Sequence, residues 1–395
     1  MTDIHVTVPK EKWTPVDRGA QDAEFIAAPS LTYWQDVRQR MWRNKPAMAS
    51  LAFIILLILA AIFGPMLTHH TYYDQDLKLS NIPPIFEVYK AEPADAPAQY
   101  VFLNSGNFKL YEVAENGEIL GLVRAKRKDL MKKQHIYVFG DAEVRVDYSQ
   151  LPATLVDGDG NAVESIGYRW NQTNWFGTDS LGRDVLVRQL YGARISLTVA
   201  FVAAMVNFFI GVFYGGIAGY FGGNVDNVMM RIVEIIATIP LTLYVILMMV
   251  VFQSGFLSII IAIGSVFWVD MARIVRGQML SLKNQDYVAA AKTMGASTKR
   301  ILTRHLLPNT MGPILVTLTL LIPSAIFIES FMSFIGLGVS VPMASWGTLT
   351  AEAVETLRAY PHQLFFPAAA ISLTMFAFNF LGDGLRDALD PRLRK

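Results

Sequence analysis

The sequence predicts an all-α polytopic membrane protein with six spanning helices and a small β-rich insert between the first and the second. Three observations carry this expectation: six long apolar runs nearly free of charge, positive residues gathered in alternate connections, and one long polar segment with alternating strands. A helix rising about 1.5 Å per residue needs about 20 mostly apolar residues to cross a hydrocarbon layer about 30 Å thick. Composition agrees, since only 17% of the 395 residues are charged, against roughly 25% in soluble domains.

Residues 1–45 form a polar N-terminal segment of mixed charge. It is too long to lead a cleavable signal, so the first apolar run, 46–67, reads as a retained anchor. Residues 68–175 are polar, with strands expected at 100–103, 108–113, 119–123 and 135–139. Glu115-Asn116-Gly117-Glu118 reads as a hairpin turn, because Asn-Gly tolerates positive φ. Asp157-Gly158-Asp159-Gly160-Asn161 resembles part of a calcium loop, but the EF-hand spacing and closing Glu are missing, and a plain turn is expected. Residues 176–395 form the core, with apolar runs at 195–220, 235–252, 256–275, 311–335 and 364–381.

Positive residues accumulate on the cytoplasmic side of a membrane. Arg38, Arg40, Arg43 and Lys45 precede the first run and place the N-terminus inside. Alternate crossings put the 273–309 loop inside too, with Arg276, Lys283, Lys292, Lys299, Arg300 and Arg304. The tail with Arg386, Arg392, Arg394 and Lys395 is again inside. Outside lies 336–362, with Glu352, Glu355 and only Arg358, as does the 68–175 insert. The expected location is therefore the cell membrane, multi-pass, with both termini cytoplasmic. A net charge of +1 gives no ground for nucleic acid as a partner, and the lack of cysteine excludes disulfides, thiolate metal sites and cysteine nucleophiles.

Within the inside loop, Asp286 can cap a helix start, Gly295 supplies the left-handed residue that ends it, Ser297 caps a second helix, and Pro308 terminates that one. Ala289, Ala290 and Ala291 allow close approach, which suits docking into a cleft on another protein; a basic loop lying at lipid headgroups is an equal alternative. Gly211, Gly215 and Gly219 make a smooth stripe for packing. Pro240 and Pro323 interrupt the third and fifth spans, as gate kinks or as plain packing. Glu234, Asp270, Glu329 and Asp383 are placed near span ends, where solvation or ion pairing is expected, with Asp270 and Arg273 sharing a face.

Other function classes leave signatures that are missing here. ATP hydrolysis by a phosphate-cradling loop needs G-x-x-x-x-G-K-[ST], and the sequence has no Gly-Lys dipeptide. An ion-coupled secondary transporter would show repeated halves and mid-membrane carboxylates, and neither is read in the sequence. An intramembrane protease would need Gly-x-Gly-Asp or Gly-x-Ser-Gly; Gly382-Asp383 follows Phe380-Leu381 instead.

The inside loop resembles that of the permease subunits of ABC importers, in the dipeptide and oligopeptide group. Their loop reads E-A-A-x-x-x-G, nine residues, then I-x-L-P. Ala290, Ala291, Gly295, Leu307 and Pro308 match, while Ala289 stands at the Glu and His305 at the Ile, within Arg304-His305-Leu306-Leu307-Pro308. The resemblance continues from Trp175 to the C-terminus: Trp175-Phe176-Gly177-Thr178-Asp179, Gly182-Arg183-Asp184, Ala218-Gly219-Tyr220-Phe221-Gly222-Gly223 with Asp226 and Arg231, Ser333-Phe334-Ile335-Gly336-Leu337-Gly338, Ser345-Trp346-Gly347, and the NFLGDGLRDALDPR run from Asn379. The insert is longer than this family usually has. The resemblance implies the type I importer permease fold and alternating access. It also implies four kinds of neighbour: a homologous second permease, two ATP-binding cassette ATPases, an extracytoplasmic peptide-binding protein and membrane lipid. The ATP and magnesium are held by the ATPases, and no catalytic, cofactor or metal residue is expected in this chain. The ATPase-coupling residues are then Asp286, Tyr287, Ala289, Ala290, Ala291, Gly295, Ser297, Arg304, His305, Leu307 and Pro308, and the path or gate candidates are Pro240, Pro323, Glu329 and Trp346. Nickel or another cargo, or ion coupling, is the alternative reading.

Overall fold

The structure, a computed structural model, describes residues 32–390 apart from 69, 94–96, 253–254 and 341. Two helices open it, α1 (Tyr33–Arg43) and α2 (Lys45–Leu67). Asn44 lies between them and caps α2, its Oδ1 accepting from the Ala47 N–H at 3.2 Å. At 1.5 Å per residue the 23 residues of α2 extend about 34 Å. Pro65 has no N–H to give the Ala61 carbonyl one turn earlier. Arg194 restores the bond from another helix, its Nε donating to Ala61 O at 3.2 Å and its Nη2 to Ile62 O at 2.9 Å.

Among the described residues nine strands follow: β1 (Ile85–Ala91), β2 (Gln99–Asn104), β3 (Lys109–Val113), β4 (Ile119–Leu122), β5 (Arg127–Asp129), β6 (Gln134–Phe139), β7 (Ala142–Asp147), β8 (Thr154–Asp157) and β9 (Ser165–Trp170). They form two antiparallel sheets, ordered β4-β3-β2-β1-β9 and β5-β6-β7-β8. Alternation builds two apolar layers on the first sheet. Val101, Leu103 and Leu110 meet Tyr137, Phe139 and Val146 of the second sheet, and on the other side Phe86, Val88 and Phe102 pack with Ile82. Gly117 turns the β3–β4 hairpin at φ +93°. The Asp157 carboxylate accepts from the Asp159 and Asn161 amides at 2.9 and 2.8 Å, which is the arrangement of a plain turn.

The remainder is helical: α3 (Val185–Val206), α4 (Val212–Phe221), α5 (Gly223–Thr238), α6 (Leu241–Phe252), α7 (Phe256–Leu282), α8 (Asp286–Thr293), α9 (Thr298–Arg300), α10 (Leu307–Met332), α11 (Trp346–Thr356) and α12 (His362–Leu389). Among the described residues, five stretches are long and apolar enough to cross a membrane: Lys45–Leu67, Val185–Phe221, Phe256–Leu282, Thr298–Leu337 and His362–Leu389. The expected third span is not a straight helix. α5 and α6 meet at an 84° bend over Ile239 and Pro240, because proline disfavours helical backbone in the residue before it, and Ile239 is extended. Pro323, by contrast, does not interrupt: α10 runs through it, buried among its neighbours. Large apolar side chains point outward from these helices, including Leu56 at 65%, Val250 at 77% and Phe376 at 60% exposed, as a lipid-facing surface requires.

The glycine stripe sets the closest approach. A β-carbon on Gly219 would stand 2.6 Å from Met279 Cβ and 2.7 Å from the Arg276 carbonyl, so α4 and α7 touch backbone to backbone. Charges lock the same end. Arg276 of α7 grips Asp226 of α5 with two bonds of 2.5 and 2.6 Å, and Lys283 Nζ donates to the Gly219 carbonyl at 2.9 Å.

Candidate functional site

The 286–309 segment is a helical hairpin standing on that locked base. α8 ends in a paired cap: the Ala296 amide donates to Ala291 O at 3.0 Å and the Gly295 amide to Lys292 O at 2.9 Å, with Gly295 at φ +77°. Ser297 then caps α9, its Oγ accepting from the Arg300 amide at 3.4 Å. Val288, Ala291, Ile301 and Leu306 are buried against Met271, Val275 and Met279 of α7, so the hairpin is a packed element and not a floppy loop. Two readings are corrected. Gln285, not Asp286, occupies the cap position, and the Asp286 carboxylate sits one residue later, in the first turn, where it still favours the helix N-terminus. Pro308 does not end the second helix. A π segment, Ile301–Leu306, widens the turn ahead of the proline, and the helix continues from α9 into α10, with Pro308 in the first turn of α10.

The hairpin's outer face carries Asp286, Tyr287, Ala289, Ala290, Ser297, Arg304 and Pro308, all exposed. Ala291 faces inward, so only two of the three alanines are open to a partner. His305 and Leu307 are partly buried, and the Asn309 amide bridges the two arms, donating to His305 O at 2.7 Å and to the Tyr287 hydroxyl at 3.4 Å. Met294, 81% exposed beside Gly295, was not singled out in the sequence; an adaptable apolar side chain at the tip of a turn is the signal that could have marked it.

Among the gate candidates, Pro240 sits in the α5–α6 bend and Pro323 within α10, while Glu329 and Trp346 come together. Glu329 is fully buried, which corrects its expected position at a solvated helix end: α3 and α11 pack over this part of α10. Ser196 and Ser333 donate to its two oxygens at 2.9 Å each, and no cation pairs with it among the described residues. The Trp346 amide donates to Ser196 Oγ at 3.2 Å and its indole to Gln189 O at 3.2 Å, tying α11 to α3. Asp270 and Arg273 share a face and pair, as their spacing predicts. α7 extends seven residues past the predicted span end, which leaves Asp270 and Arg273 in its middle, 3.5 Å apart and exposed. Arg231 and Glu234 of α5 pair likewise at 2.7 Å.

A four-charge cluster was missed. Asp179 Oδ2 accepts from Arg183 Nε and Arg188 Nη1 at 2.7 Å each, and Glu352 of α11 accepts from Arg183 Nη2 at 2.9 Å and Arg188 Nη1 at 2.7 Å. Two cations balance two carboxylates, with Arg188 2% exposed. Arginine inside an apolar helix demands a partner, and that demand was the available signal.

The body is multi-pass and helical, with an exposed hairpin braced on α7 and α10. Residues 211–395 match the family described as binding-protein-dependent transport system inner membrane component, and residues 32–84 match the N-terminal TM domain of oligopeptide transport permease C. The chain is 40% identical to the oligopeptide transport system permease protein OppC of Bacillus subtilis over 98% of its own length and 99% of that protein's. It is 40% identical to the dipeptide transport system permease protein DppC of the same organism, over 99% of this chain and 96% of that one. OppC of Escherichia coli K12 is 36% identical over 94% and 95%. The chain therefore belongs to the OppC and DppC family of ABC transport permeases, a transport subunit and not an enzyme.

Proposed function

We propose that the chain carries peptides across the cell membrane by alternating access, as one of two homologous permeases served by two ATPases and an extracytoplasmic peptide-binding protein. In this reading the bent α5–α6 pair counts as one crossing, giving six spans. Residues 1–45 and the 273–309 loop are cytoplasmic, 46–67 is the first span, 68–175 is the external insert, and 176–395 is the permease core. The ATPases, holding ATP and magnesium, push on Ala289, Ala290, Met294 and Gly295. The observation that carries the reading is the exposed face of the α8–α9 hairpin, with Ala289, Ala290 and Met294 open to a partner on an element braced against α7. The exposed pairs Arg231–Glu234 of α5 and Asp270–Arg273 of α7 give that side of the body a polar face, which suits contact with a second permease and a wet path. Charges of both signs also suit a zwitterionic cargo.

Orientation is tested by cysteine labelling on intact cells. Gly117→Cys should react with an impermeant reagent and Lys299→Cys should not; the reverse pattern refutes the topology. Co-purification of the assembled complex should bring two ATPases and a second permease, and a lone chain active in transport would refute the partnership.

A further inference from the structure

A cavity of about 450 Å³ opens at the seam between the five-stranded sheet and the turn joining α11 to α12. Alternation along β1 sends Phe86 and Val88 into the core and turns Glu87 and Tyr89 to the other face. The register pairs Glu87 with Tyr168 of β9, so the carboxylate and that ring share this wall. Pro83, Pro84 and Tyr360 complete it. Both Glu87 oxygens are oriented by hydroxyls, Tyr89 donating at 2.8 Å and Ser165 at 2.5 Å. Burial and the neighbouring carboxylate raise the Tyr89 hydroxyl above its usual range, which keeps it a donor. Neither hydroxyl brings positive charge, and no cationic side chain pairs with Glu87 among the described residues. The wall thus offers an oriented, partly buried carboxylate without its counter-charge, beside aromatic rings whose faces attract cations. The volume falls within the range of small-ligand sites, of order 300–1,000 Å³.

We propose that this cavity receives the free amino terminus of a peptide, its ammonium on Glu87 and its first side chain against Tyr168, Tyr360 and the two prolines. It rests on the peptide reading above and gives the insert a role: a first holding point ahead of the path.

Binding is measured by calorimetry on the full-length chain in nanodiscs, with a tripeptide bearing N-terminal phenylalanine, its N-acetylated form, and phenethylamine. The free tripeptide should bind roughly tenfold or more tighter than the acetylated one, the worth of a charge-assisted contact. Glu87→Gln and Tyr168→Ala should each erase that preference, with unchanged thermal melting showing that the insert is intact. Tyr168 is 70% exposed, so its truncation leaves the core untouched. Equal binding of free and acetylated peptide, or preference retained in both variants, overturns the site while leaving peptide transport standing. Saturable phenethylamine binding lost in Glu87→Gln supports the site even if another cargo is carried. Protection of Tyr168→Cys from labelling by the binding protein, with none by peptide, would assign the cavity to protein docking and overturn the proposal.

Discussion

Replacing Gly295 isolates the angle between α8 and α9 from everything else in the subunit. Its φ is +77°, and a β-carbon built there meets no atom within 4 Å, so a substitution costs torsion and not packing. A non-glycine residue held in the left-handed region costs about 1 kcal/mol or more, and a β-branched one more still, because its extra branch crowds the backbone. About 1 kcal/mol is roughly a fivefold change in population. Alanine should therefore shift the hairpin about fivefold toward another angle, and valine further, whereas asparagine, which tolerates this region, should change little. The base of the hairpin, held by Arg276, Asp226 and Lys283, is untouched, so the subunit should insert in the membrane normally. Peptide uptake and ATP hydrolysis measured together in vesicles should fall in coupling in the order glycine, asparagine, alanine, valine, with Gly295→Val hydrolysing ATP without transport or releasing the ATPase. Normal coupled transport by Gly295→Val would refute the view that this turn transmits ATPase movement.

Ala289→Glu, which restores the family's carboxylate on an exposed position of α8, should be tolerated in uptake assays and tighten ATPase retention on purification. Gly219→Leu should destabilise the subunit by about 3 kcal/mol or more, since α7 backbone occupies the space, and lower its thermal midpoint in detergent. Gly216→Ala, whose β-carbon would meet nothing nearer than 3.9 Å, should not. Arg188→Met leaves Asp179 and Glu352 with one cation between them and should cost about 3–5 kcal/mol. A thermal midpoint equal to that of the unaltered chain would show that the cluster is not structural.

The uncharged runs were legible because lipid permits little else over such a length, and the Asn116-Gly117 turn was legible because positive φ has few hosts. Strands β2, β3, β4 and β6 were anticipated within one residue at either end, but β1, β5, β7, β8 and β9 were not, since their polar and apolar residues mix with turn signals. An interruption of the third span at Pro240 was legible, but the 84° bend was not, because hydropathy records apolar length and not direction. Glu329 escaped for a different reason. Whether a carboxylate near the end of a run meets water or the packed helices α3 and α11 depends on contacts such as that from Ser196, 133 residues away, and no local pattern encodes them. The Gly295 turn was readable because its chemistry is local, whereas the π segment before Pro308 was not, since one extra residue in a turn leaves the periodicity almost unchanged.

Vesicles holding this chain, its homologous permease and both ATPases, supplied with binding protein and a labelled tripeptide, test the central claim most directly. The account predicts uptake that requires ATP on the side bearing the α8–α9 hairpin and that persists when proton and sodium gradients are collapsed. Uptake driven by an ion gradient with the ATPases left out would contradict it.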